Sequence, residues 1–399
     1  MNHLLSERIN SMQESATLKM AKISRELRSQ GHDVIDLSIG EPDFDTPQHI
    51  KDAAKKAIDE GYTHYTPVPG YPELRKAIAA KLKRDNNLDY SFDQIVVSTG
   101  AKQSIANVVL SLVNKGEEVL LPAPYWVSYS AIADLAEGVS IEIPTTIDTN
   151  FKITAAELEK HISTKTKLII FSSPCNPTGA VYSYAEMKSL ANMLVRYPNV
   201  FVICDEIYEY INYTGQPNVS LASFPEVKNQ VITVNGFSKG FAMTGWRVGY
   251  IAAPLWIAQA CDKMQGQITS GTCSIAQKAA ETAVSADLTP TYDMVKAFRK
   301  RRDMVYELLM AIPHLKVNLP DGAFYFFFDV SAYFGKSHNG FTVNNPEDMS
   351  AYLLQEAKIG LVNGEAFGDK RCIRLSYAAS EERLKEVCSR LKTALEKLS

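Results

Sequence analysis

A lysine and an aspartate stand at positions where the sequence predicts unusual chemistry. Lys239 lies in a short polar loop, Gly236–Gly240, directly after an apolar run. A lysine that is kept partly deprotonated in such a loop can form a Schiff base with a carbonyl compound. Asp205 ends another apolar run, where an unpaired carboxylate is costly, so we expect it to have a cationic or hydrogen-bonding partner. Taken alone, Lys239 also fits a surface lysine, and Asp205 fits a helix cap or a structural ion pair.

A third group of residues is suited to binding one phosphate. The stretch Gly100-Ala101-Lys102 lies between a predicted strand and a predicted helix. Backbone amides and the helix dipole at such a position favour an anion. The loop has neither the Walker A pattern nor GxGxxG, so a single phosphate suits it better than a nucleotide. Ser238 and Arg247 could complete the phosphate site, because arginine makes bidentate contacts with phosphate.

The apolar runs before these loops predict the strands that position them. They are rich in β-branched residues and bounded by turn signals, which is typical of buried strands. The runs are Ile95–Ser98, Glu118–Leu121, Leu168–Phe171, Phe201–Cys204 and Val231–Val234. Helix-like stretches alternate with them, which predicts an α/β fold with a mostly parallel sheet covered on both faces. Ligands bind beyond the carboxyl ends of such strands, so we expect the polar loops to converge on one site.

The C-terminal third changes character and predicts a second, smaller α+β domain. Its predicted helix, two strands and closing helix cover residues 290–312, 322–329, 371–377 and 381–398. We expect residues 1–45 and 295–399 to form this small domain and residues 46–294 to form the large one. The length of 399 residues agrees with two domains at ~100–200 residues each.

Composition and charge argue against several classes of function. The chain has 42 basic and 45 acidic side chains, a net charge of −3, which argues against a nucleic-acid-binding protein. It contains no apolar run near the ~18 residues that span a membrane, and its N-terminus lacks the apolar core of a signal peptide, so we expect a cytoplasmic location. The six cysteines have no CxxC spacing and the seven histidines no HExxH motif, so we expect reduced thiols and no metal site.

A phosphate, an aldehyde that accepts a lysine and a ring cation that pairs with a carboxylate together describe pyridoxal 5′-phosphate. The stretch 238–250 resembles the lysine signature of class I aminotransferases of pyridoxal-phosphate fold type I. Five further motifs resemble that family in order along the chain, at Ser38–Phe44, Tyr65 with Gly70–Arg75, Asn176–Gly179, Asp205–Tyr208 and Arg374–Tyr377. The resemblance covers essentially the whole chain and is greatest to bacterial aspartate aminotransferases, whose relatives include prephenate aminotransferases. It implies a large sheet domain flanked by helices plus a small α+β domain.

The resemblance also implies roles around the cofactor ring. Lys239 binds the cofactor aldehyde covalently and later moves a proton between the substrate Cα and the cofactor. Asp205 pairs with the pyridinium nitrogen and keeps it protonated. Tyr208 and Asn176 hydrogen-bond the ring oxygen, and Trp126 stacks on the ring.

At the phosphate, the resemblance implies contacts from both subunits of a homodimer. From the same chain, the implied contacts are the backbone amides of Gly100, Ala101 and Lys102, with Ser238 and Arg247. Tyr65 reaches the phosphate from the partner subunit.

For the substrate, the resemblance implies that Arg374 clamps the α-carboxylate, with help from the Gly40 backbone, Asn176 and Trp126. Some aspartate aminotransferases use an arginine of the partner chain for the distal carboxylate, but residues 265–273 contain none. Lys102, in a Gly-x-Lys-Gln loop, is implied to take that role. Ser15 and Thr17 match polar residues that approach the same end of the substrate.

The resemblance therefore implies an aspartate aminotransferase that works by a ping-pong mechanism. The amino group passes between L-aspartate or L-glutamate and 2-oxoglutarate or oxaloacetate. Prephenate or aromatic amino acid transamination is one alternative, and a pyridoxal-phosphate-dependent carbon–sulfur β-lyase is another. More distant alternatives are a nicotinamide oxidoreductase, which the missing GxGxxG argues against, and a non-catalytic regulator.

Overall fold

The computed structural model describes residues 4–12 and 14–399. In this part of the chain the α-helices are α1 Glu7–Ser11, α2 Ala16–Ser29, α3 Gln48–Asp59, α4 Pro72–Asn86, α5 Ala101–Leu112, α6 Ser128–Leu135, α7 Ala155–Glu159, α8 Tyr184–Leu194, α9 Leu255–Ile268, α10 Ser274–Ser285, α11 Thr289–Met310, α12 Pro346–Tyr352 and α13 Glu381–Glu396. The strands are β1 Ile35–Asp36, β2 Ile95–Ser98, β3 Glu118–Ala123, β4 Val139–Pro144, β5 Thr166–Ser172, β6 Phe201–Asp205, β7 Val231–Gly236, β8 Gly249–Ala252, β9 Tyr325–Asp329, β10 Ser337–His338, β11 Phe341–Thr342, β12 Ile359–Gly360, β13 Val362–Asn363 and β14 Cys372–Ser376.

Seven strands form the central sheet, in the order β2-β8-β7-β6-β5-β3-β4. Neighbouring strands from β7 to β4 run parallel, whereas β8 is antiparallel to both β7 and β2. The predicted mostly parallel sheet is confirmed, and all five predicted strands belong to it. The sequence prediction missed β4 and β8. The edge strand β4 is half exposed and has no continuous apolar run, and β8 begins with a glycine and ends with an alanine, residue types that are depleted in strands.

Helices cover both faces of the sheet, as predicted. One apolar core packs α3, α4, α8 and α10 against the sheet, and the other packs α5, α6 and α9 against the opposite face. Successive residues of a strand point to opposite faces. In β6, Val202 and Cys204 therefore belong to the first core and Ile203 to the second. By the same alternation, Asp205 points to the same face of the sheet as Ile203, the face that α6 covers.

Local sequence explains where several helices begin. The Ser183 hydroxyl accepts a hydrogen bond from the Glu186 amide, and the Glu186 carboxylate accepts one from the Ser183 amide. This reciprocal pair satisfies two amides that lack partners at a helix start. Ser380 caps α13 in a simpler way, by accepting from the Arg383 amide. Pro72 stands at the first turn of α4, where its missing N–H costs nothing.

A third apolar core joins the C-terminal part of the chain to its N-terminal segment. It contains residues of α11, α13, β9 and β14, including the aromatic side chains predicted for the strand around residue 325. Strands β13, β14 and β9 form an antiparallel sheet, and β1 pairs with β12 in parallel, with Ile35 opposite Ile359. The domain boundaries at residues 45 and 295 stay a prediction. Residues 1–3 and 13 of the predicted N-terminal segment lie outside the described residues.

Residues 4–12 and 14–399 contain no membrane-spanning helix, no candidate metal cluster and no disulfide bond. No helix there has both the length and the apolar character needed to cross a membrane. No cluster of three or more His, Cys, Asp or Glu side chains there could hold a metal ion. All six cysteines are free, and only Cys273 is exposed.

One carboxyl group of the sheet core is buried without a complete set of partners. Glu206, directly after β6, is 0% exposed. Its Oε1 has no hydrogen-bond partner among the described residues, and Asn218 donates only a long, 3.5 Å bond to Oε2. Burial disfavours the charged form and raises the pKa of Glu206 to about 7.

We predict that Glu206 makes the fold less stable as the pH rises. The pKa of Glu206 is higher in the folded protein than in the unfolded chain, so its stabilisation is fully present below the unfolded pKa and is lost as the pH rises through about 7. Glu206→Gln mimics the neutral form. Its free energy of unfolding should match that of the native protein at about pH 4. At about pH 8 it should exceed the native value by about 1 kcal/mol or more. Urea unfolding at both pH values measures this, and a pH-independent difference between the two proteins would contradict it.

Candidate active site

A cavity of about 360 Å³ lies at the carboxyl ends of β2, β5, β6 and β7. It brings together nearly all of the residues predicted from the sequence, namely Ser15, Thr17, Gly40, Ala101, Lys102, Trp126, Asn176, Asp205, Tyr208, Ser238, Lys239, Arg247 and Arg374. Gly100 lies immediately before Ala101, as the residue that precedes α5. Tyr65 does not line the cavity of its own chain, and its side chain is 97% exposed. The predicted convergence of the polar loops is therefore seen in the structure.

Asp205 ends β6 and points its carboxylate into a buried environment. Tyr129 donates a hydrogen bond of 2.8 Å to Oδ2, and the Ile207 amide donates one of 3.2 Å to Oδ1. Burial raises the pKa of Asp205 to about 6, while these two bonds and the charge of Lys239 oppose the rise. No lysine or arginine of the described residues forms an ion pair with this carboxylate. A cationic group bound in the cavity would therefore stabilise its ionised form.

Lys239 follows β7 and faces the same cavity with its amine. Its Nζ donates a hydrogen bond to the carbonyl oxygen of Gly40. Burial lowers the pKa of Lys239 to about 8, and the charges of Arg374 and Arg247 act in the same direction. The charge of Glu41 opposes the shift. A lysine with a lowered pKa has a larger neutral fraction, so its nitrogen can attack a carbonyl carbon.

The start of α5 and the loop after Lys239 form a compact group of hydrogen-bond donors. Gly100 has φ +83°, and a Cβ there would lie 2.3 Å from Nη2 of Arg247. A Cβ at Gly249 would lie 2.3 Å from the Ala101 amide nitrogen. Only glycines allow this close approach of backbone and guanidinium. The guanidinium is held by Nη1, which donates to the Thr244 carbonyl at 2.9 Å. Amides at a helix start beside an arginine are suited to phosphate.

Arg374 enters the cavity from β14 and is 2% exposed. Its Nη1 donates to Asn176 Oδ1 at 2.9 Å, and its Nη2 donates to the Ser38 carbonyl. Its Nε has no hydrogen-bond partner among the described residues. Burial lowers the pKa of Arg374, but an arginine stays protonated in proteins. Since a buried cation requires compensation, this guanidinium is suited to a carboxylate ligand.

Lys102 is a further basic residue that lines the cavity. Nζ of Lys102 lies 5.0 Å from the centroid of the Trp126 ring. Ser15, which precedes α2, and Thr17, in its first turn, are half-buried and line the same cavity. These three polar side chains therefore border the space that a bound molecule would occupy.

Sequence reasoning missed two tyrosines of the site. Tyr129 donates to Asp205, and Tyr325 shares a hydrogen bond of 2.7 Å between hydroxyls with Tyr208. Tyr129 lies one helical turn after Trp126, a spacing that could have revealed it. Tyr325 lies in an aromatic strand, where the pattern indicates only core packing.

Residues 32–391 match the family model for aminotransferases of class I and II. This chain belongs to that aminotransferase family. It is 47% identical over 397 residues to the bifunctional aspartate aminotransferase and glutamate/aspartate-prephenate aminotransferase of Petunia hybrida, covering 98% of this chain and 82% of the relative. It is 44% identical over 393 residues to a probable aspartate/prephenate aminotransferase of Rickettsia bellii, covering 98% of both. The crystal structure of the aspartate aminotransferase of Rhizobium meliloti has a TM-score of 0.96 and 41% identity, covering 99% of both chains.

The family assignment confirms the predicted fold, enzyme class and cofactor. This aminotransferase is a pyridoxal-phosphate-dependent enzyme that acts on amino acids and 2-oxo acids. It is neither the nicotinamide oxidoreductase nor the non-catalytic regulator among the distant alternatives. The site residues fit the cofactor, because the donors beside Gly100 suit its phosphate, Lys239 suits its aldehyde and Asp205 suits its ring nitrogen.

We predict that Gly100→Ala weakens cofactor binding. The added methyl group would strain a backbone at φ +83° and displace Arg247 from the helix start. The dissociation constant of pyridoxal phosphate should rise about tenfold or more, the equivalent of about 1.4 kcal/mol. Equilibrium dialysis of the apoenzyme measures it.

Gly245→Ala is the matched control, because it lies in the loop of Arg247 and its Cβ would meet nothing within 4 Å. Equal cofactor affinity in the two variants would contradict the proposed phosphate site.

Proposed function

We propose that this aminotransferase transfers the amino group between L-aspartate or L-glutamate and oxaloacetate or 2-oxoglutarate. The observation that supports this most strongly is that Arg374 and Lys102 both line the cavity, in addition to Arg247 beside Gly100. Two cations of this kind suit the two carboxylates of a dicarboxylic amino acid. The names of the relatives in Petunia hybrida and Rhizobium meliloti include aspartate aminotransferase.

We propose the cofactor contacts that the family resemblance implies, and the presence of these residues around one cavity supports them. Asp205 would hold the ring nitrogen, Tyr208 and Asn176 the ring oxygen, and Trp126 one ring face. The phosphate would be held by the backbone amides of Gly100, Ala101 and Lys102 together with Ser238 and Arg247, which leaves the side chain of Lys102 to the substrate. When bound, pyridoxal phosphate supplies an electron sink that makes the Cα–H of the attached amino acid acidic.

Residues of the protein itself would bind and orient the substrate and transfer its proton. Arg374 binds the α-carboxylate and is itself held by Asn176, so the substrate has one fixed orientation. The Gly40 backbone and Trp126 border the same space. Lys239 would move a proton from Cα of the amino acid to the cofactor in one half-reaction and from the cofactor to Cα of the new amino acid in the other, a task that suits an amine with a pKa of about 8. Orientation of this kind can lower a barrier by several kcal/mol.

Prephenate is the second candidate substrate. Prephenate appears in the names of the Petunia and Rickettsia relatives. The cavity wall also contains the apolar side chains Leu18, Val127 and Ile207. Leu18 is 61% exposed although it lines the cavity, so it is accessible to the apolar ring of a larger substrate.

We predict that the aspartate activity depends on Lys102. Lys102→Ala should lower kcat/KM for aspartate about tenfold to a hundredfold, the range of a lost charge-assisted hydrogen bond, and should change the value for phenylalanine little. Steady-state kinetics with aspartate, phenylalanine and prephenate as substrates measures these values.

Lys115→Ala is the control, because Lys115 is an exposed lysine that pairs with Glu137 outside the cavity. An unchanged kcat/KM for aspartate in Lys102→Ala would contradict the distal-carboxylate role. A native protein that prefers prephenate over aspartate would establish the second candidate instead.

We also propose that the active unit is a homodimer in which Tyr65 reaches the phosphate of the partner subunit. Tyr65 is almost fully exposed in the single chain, which is unusual for an aromatic side chain. The loop that carries it is held by buried glutamines. Gln265 donates to the Val68 carbonyl at 2.7 Å, and Gln277 accepts from the Tyr71 amide at 2.8 Å. The cytoplasmic location and the absence of a nucleic-acid partner stay predictions.

The proposed exchange of Tyr65 predicts complementation between two defective chains. Tyr65→Ala and Lys239→Ala should each be inactive as homodimers at limiting cofactor. A hybrid dimer of the two would contain one complete site, so its activity should reach about half of the native value, as two-fold symmetry requires. Differently tagged, co-expressed chains allow the hybrid to be purified and assayed. A hybrid that is no more active than its parents would place Tyr65 in its own subunit's site or outside both.

A further inference from the structure

The hydroxyl of Tyr325 forms a hydrogen bond with the hydroxyl of Tyr208. The two oxygens are 2.7 Å apart, both side chains are buried, and both line the cavity. Tyr208 has one hydroxyl hydrogen, so it can donate either to Tyr325 or into the cavity. If Tyr208 donates to the cofactor ring oxygen, Tyr325 must donate to Tyr208. A hydroxyl that accepts one hydrogen bond donates a stronger one.

The ring of Tyr325 supports a second part of the site. The guanidinium carbon of Arg374 lies 4.6 Å from the Tyr325 ring centroid and 4.9 Å from that of Phe367. These two aromatic rings contact the cation, and hydrogen bonds to Asn176 and Ser38 also hold it. Loss of one ring would leave the guanidinium free to turn away from a carboxylate.

A third contact connects Tyr325 to the backbone beside Lys239. A Cβ at Gly40 would lie 2.0 Å from the Tyr325 hydroxyl oxygen, so the Gly40 backbone packs directly on that hydroxyl. The Gly40 carbonyl accepts the hydrogen bond of the Lys239 amine. The Tyr325 side chain thus contacts three parts of the site. These are Tyr208, proposed to bind the ring oxygen, Arg374, proposed to bind the α-carboxylate, and the Gly40 backbone, which accepts the hydrogen bond of the Lys239 amine.

We propose that Tyr325 is a positioning residue whose hydroxyl directs the Tyr208 hydrogen towards the cofactor ring oxygen and whose ring orients Arg374. This inference rests on the proposed contact between Tyr208 and the cofactor. The two functions use different atoms of one side chain, so two substitutions separate them. Tyr325→Phe removes the hydroxyl and keeps the ring, and Tyr325→Leu removes both.

The first measurement is a pH titration of the visible absorbance of the holoenzyme. A hydrogen bond donated to the ring oxygen stabilises its negative charge and so favours loss of the proton from the neighbouring nitrogen that Lys239 contributes. A weaker bond therefore raises the titration midpoint. Tyr325→Phe should raise it by about half a pH unit, and Tyr208→Phe should raise it further, because the bond is weakened in one variant and lost in the other.

The second measurement is the binding of succinate, an unreactive dicarboxylate, to the holoenzyme. Tyr325→Phe should keep the native affinity within about twofold, because the ring that supports Arg374 is intact. Tyr325→Leu should weaken binding about tenfold. Tyr377→Phe is the control, because it removes a buried hydroxyl that donates to the Ala323 carbonyl at 3.0 Å and does not line the cavity. It should leave both measurements unchanged.

Each contrary result has its own meaning. A native midpoint in Tyr208→Phe would overturn the contact between Tyr208 and the cofactor, and this inference with it. If the titration midpoint shifted in Tyr208→Phe but stayed at the native value in Tyr325→Phe, the role of the Tyr325 hydroxyl would be overturned and the contact between Tyr208 and the cofactor would stand. Equal succinate affinity in Tyr325→Phe and Tyr325→Leu would overturn the role of the ring. None of these outcomes depends on whether aspartate or prephenate is the substrate.

Discussion

The site depends on the burial of opposite charges at one edge of the sheet. Removal from water pushes the pKa of Asp205 up to about 6 and that of Lys239 down to about 8. Each group is thereby less stable in its charged form than it would be in solution. Arg374 is buried as a cation in the same cavity. Such an arrangement stabilises a ligand that supplies the opposite charges, and it fixes the dipoles before any reaction begins.

The sheet order brings these charges together. Asp205 is in register with Ser172 on β5 and Val234 on β7, so the loop that carries Lys239 leaves the sheet beside Asp205. Arg374 comes from β14, a strand of the third apolar core, and must meet the other two groups across the boundary between cores. Tyr325 and Tyr208 both belong to the third core, and Tyr208 follows the sheet strand β6 by three residues, so their hydrogen bond lies close to that boundary. The geometry of the site therefore depends on how the C-terminal core is seated on the sheet.

The sequence predicted the strands of continuous apolar residues and the polar loops after them, because burial on both faces leaves a simple pattern. It also pointed to Asp205, since an unpaired carboxylate at the end of a buried strand is costly, whereas the role of Lys239 came from its resemblance to the family motif. It could not predict β8, since Gly249 and Ala252 at its ends are residue types depleted in strands and its direction depends on its neighbours. Tyr325 was hidden by the aromatic strand around it, and the bond between Asp205 and Tyr129 joins residues 76 positions apart.

We propose that Lys239 is the desolvated amine that reacts with the cofactor aldehyde. Borohydride reduction of the holoenzyme, followed by proteolysis and mass spectrometry of the peptides, locates the lysine that becomes covalently labelled. We expect label on Lys239, in the peptide that contains Ser238 and Gly240, at about one cofactor per chain. Label on another lysine, such as Lys102, or no covalent label after reduction would contradict it.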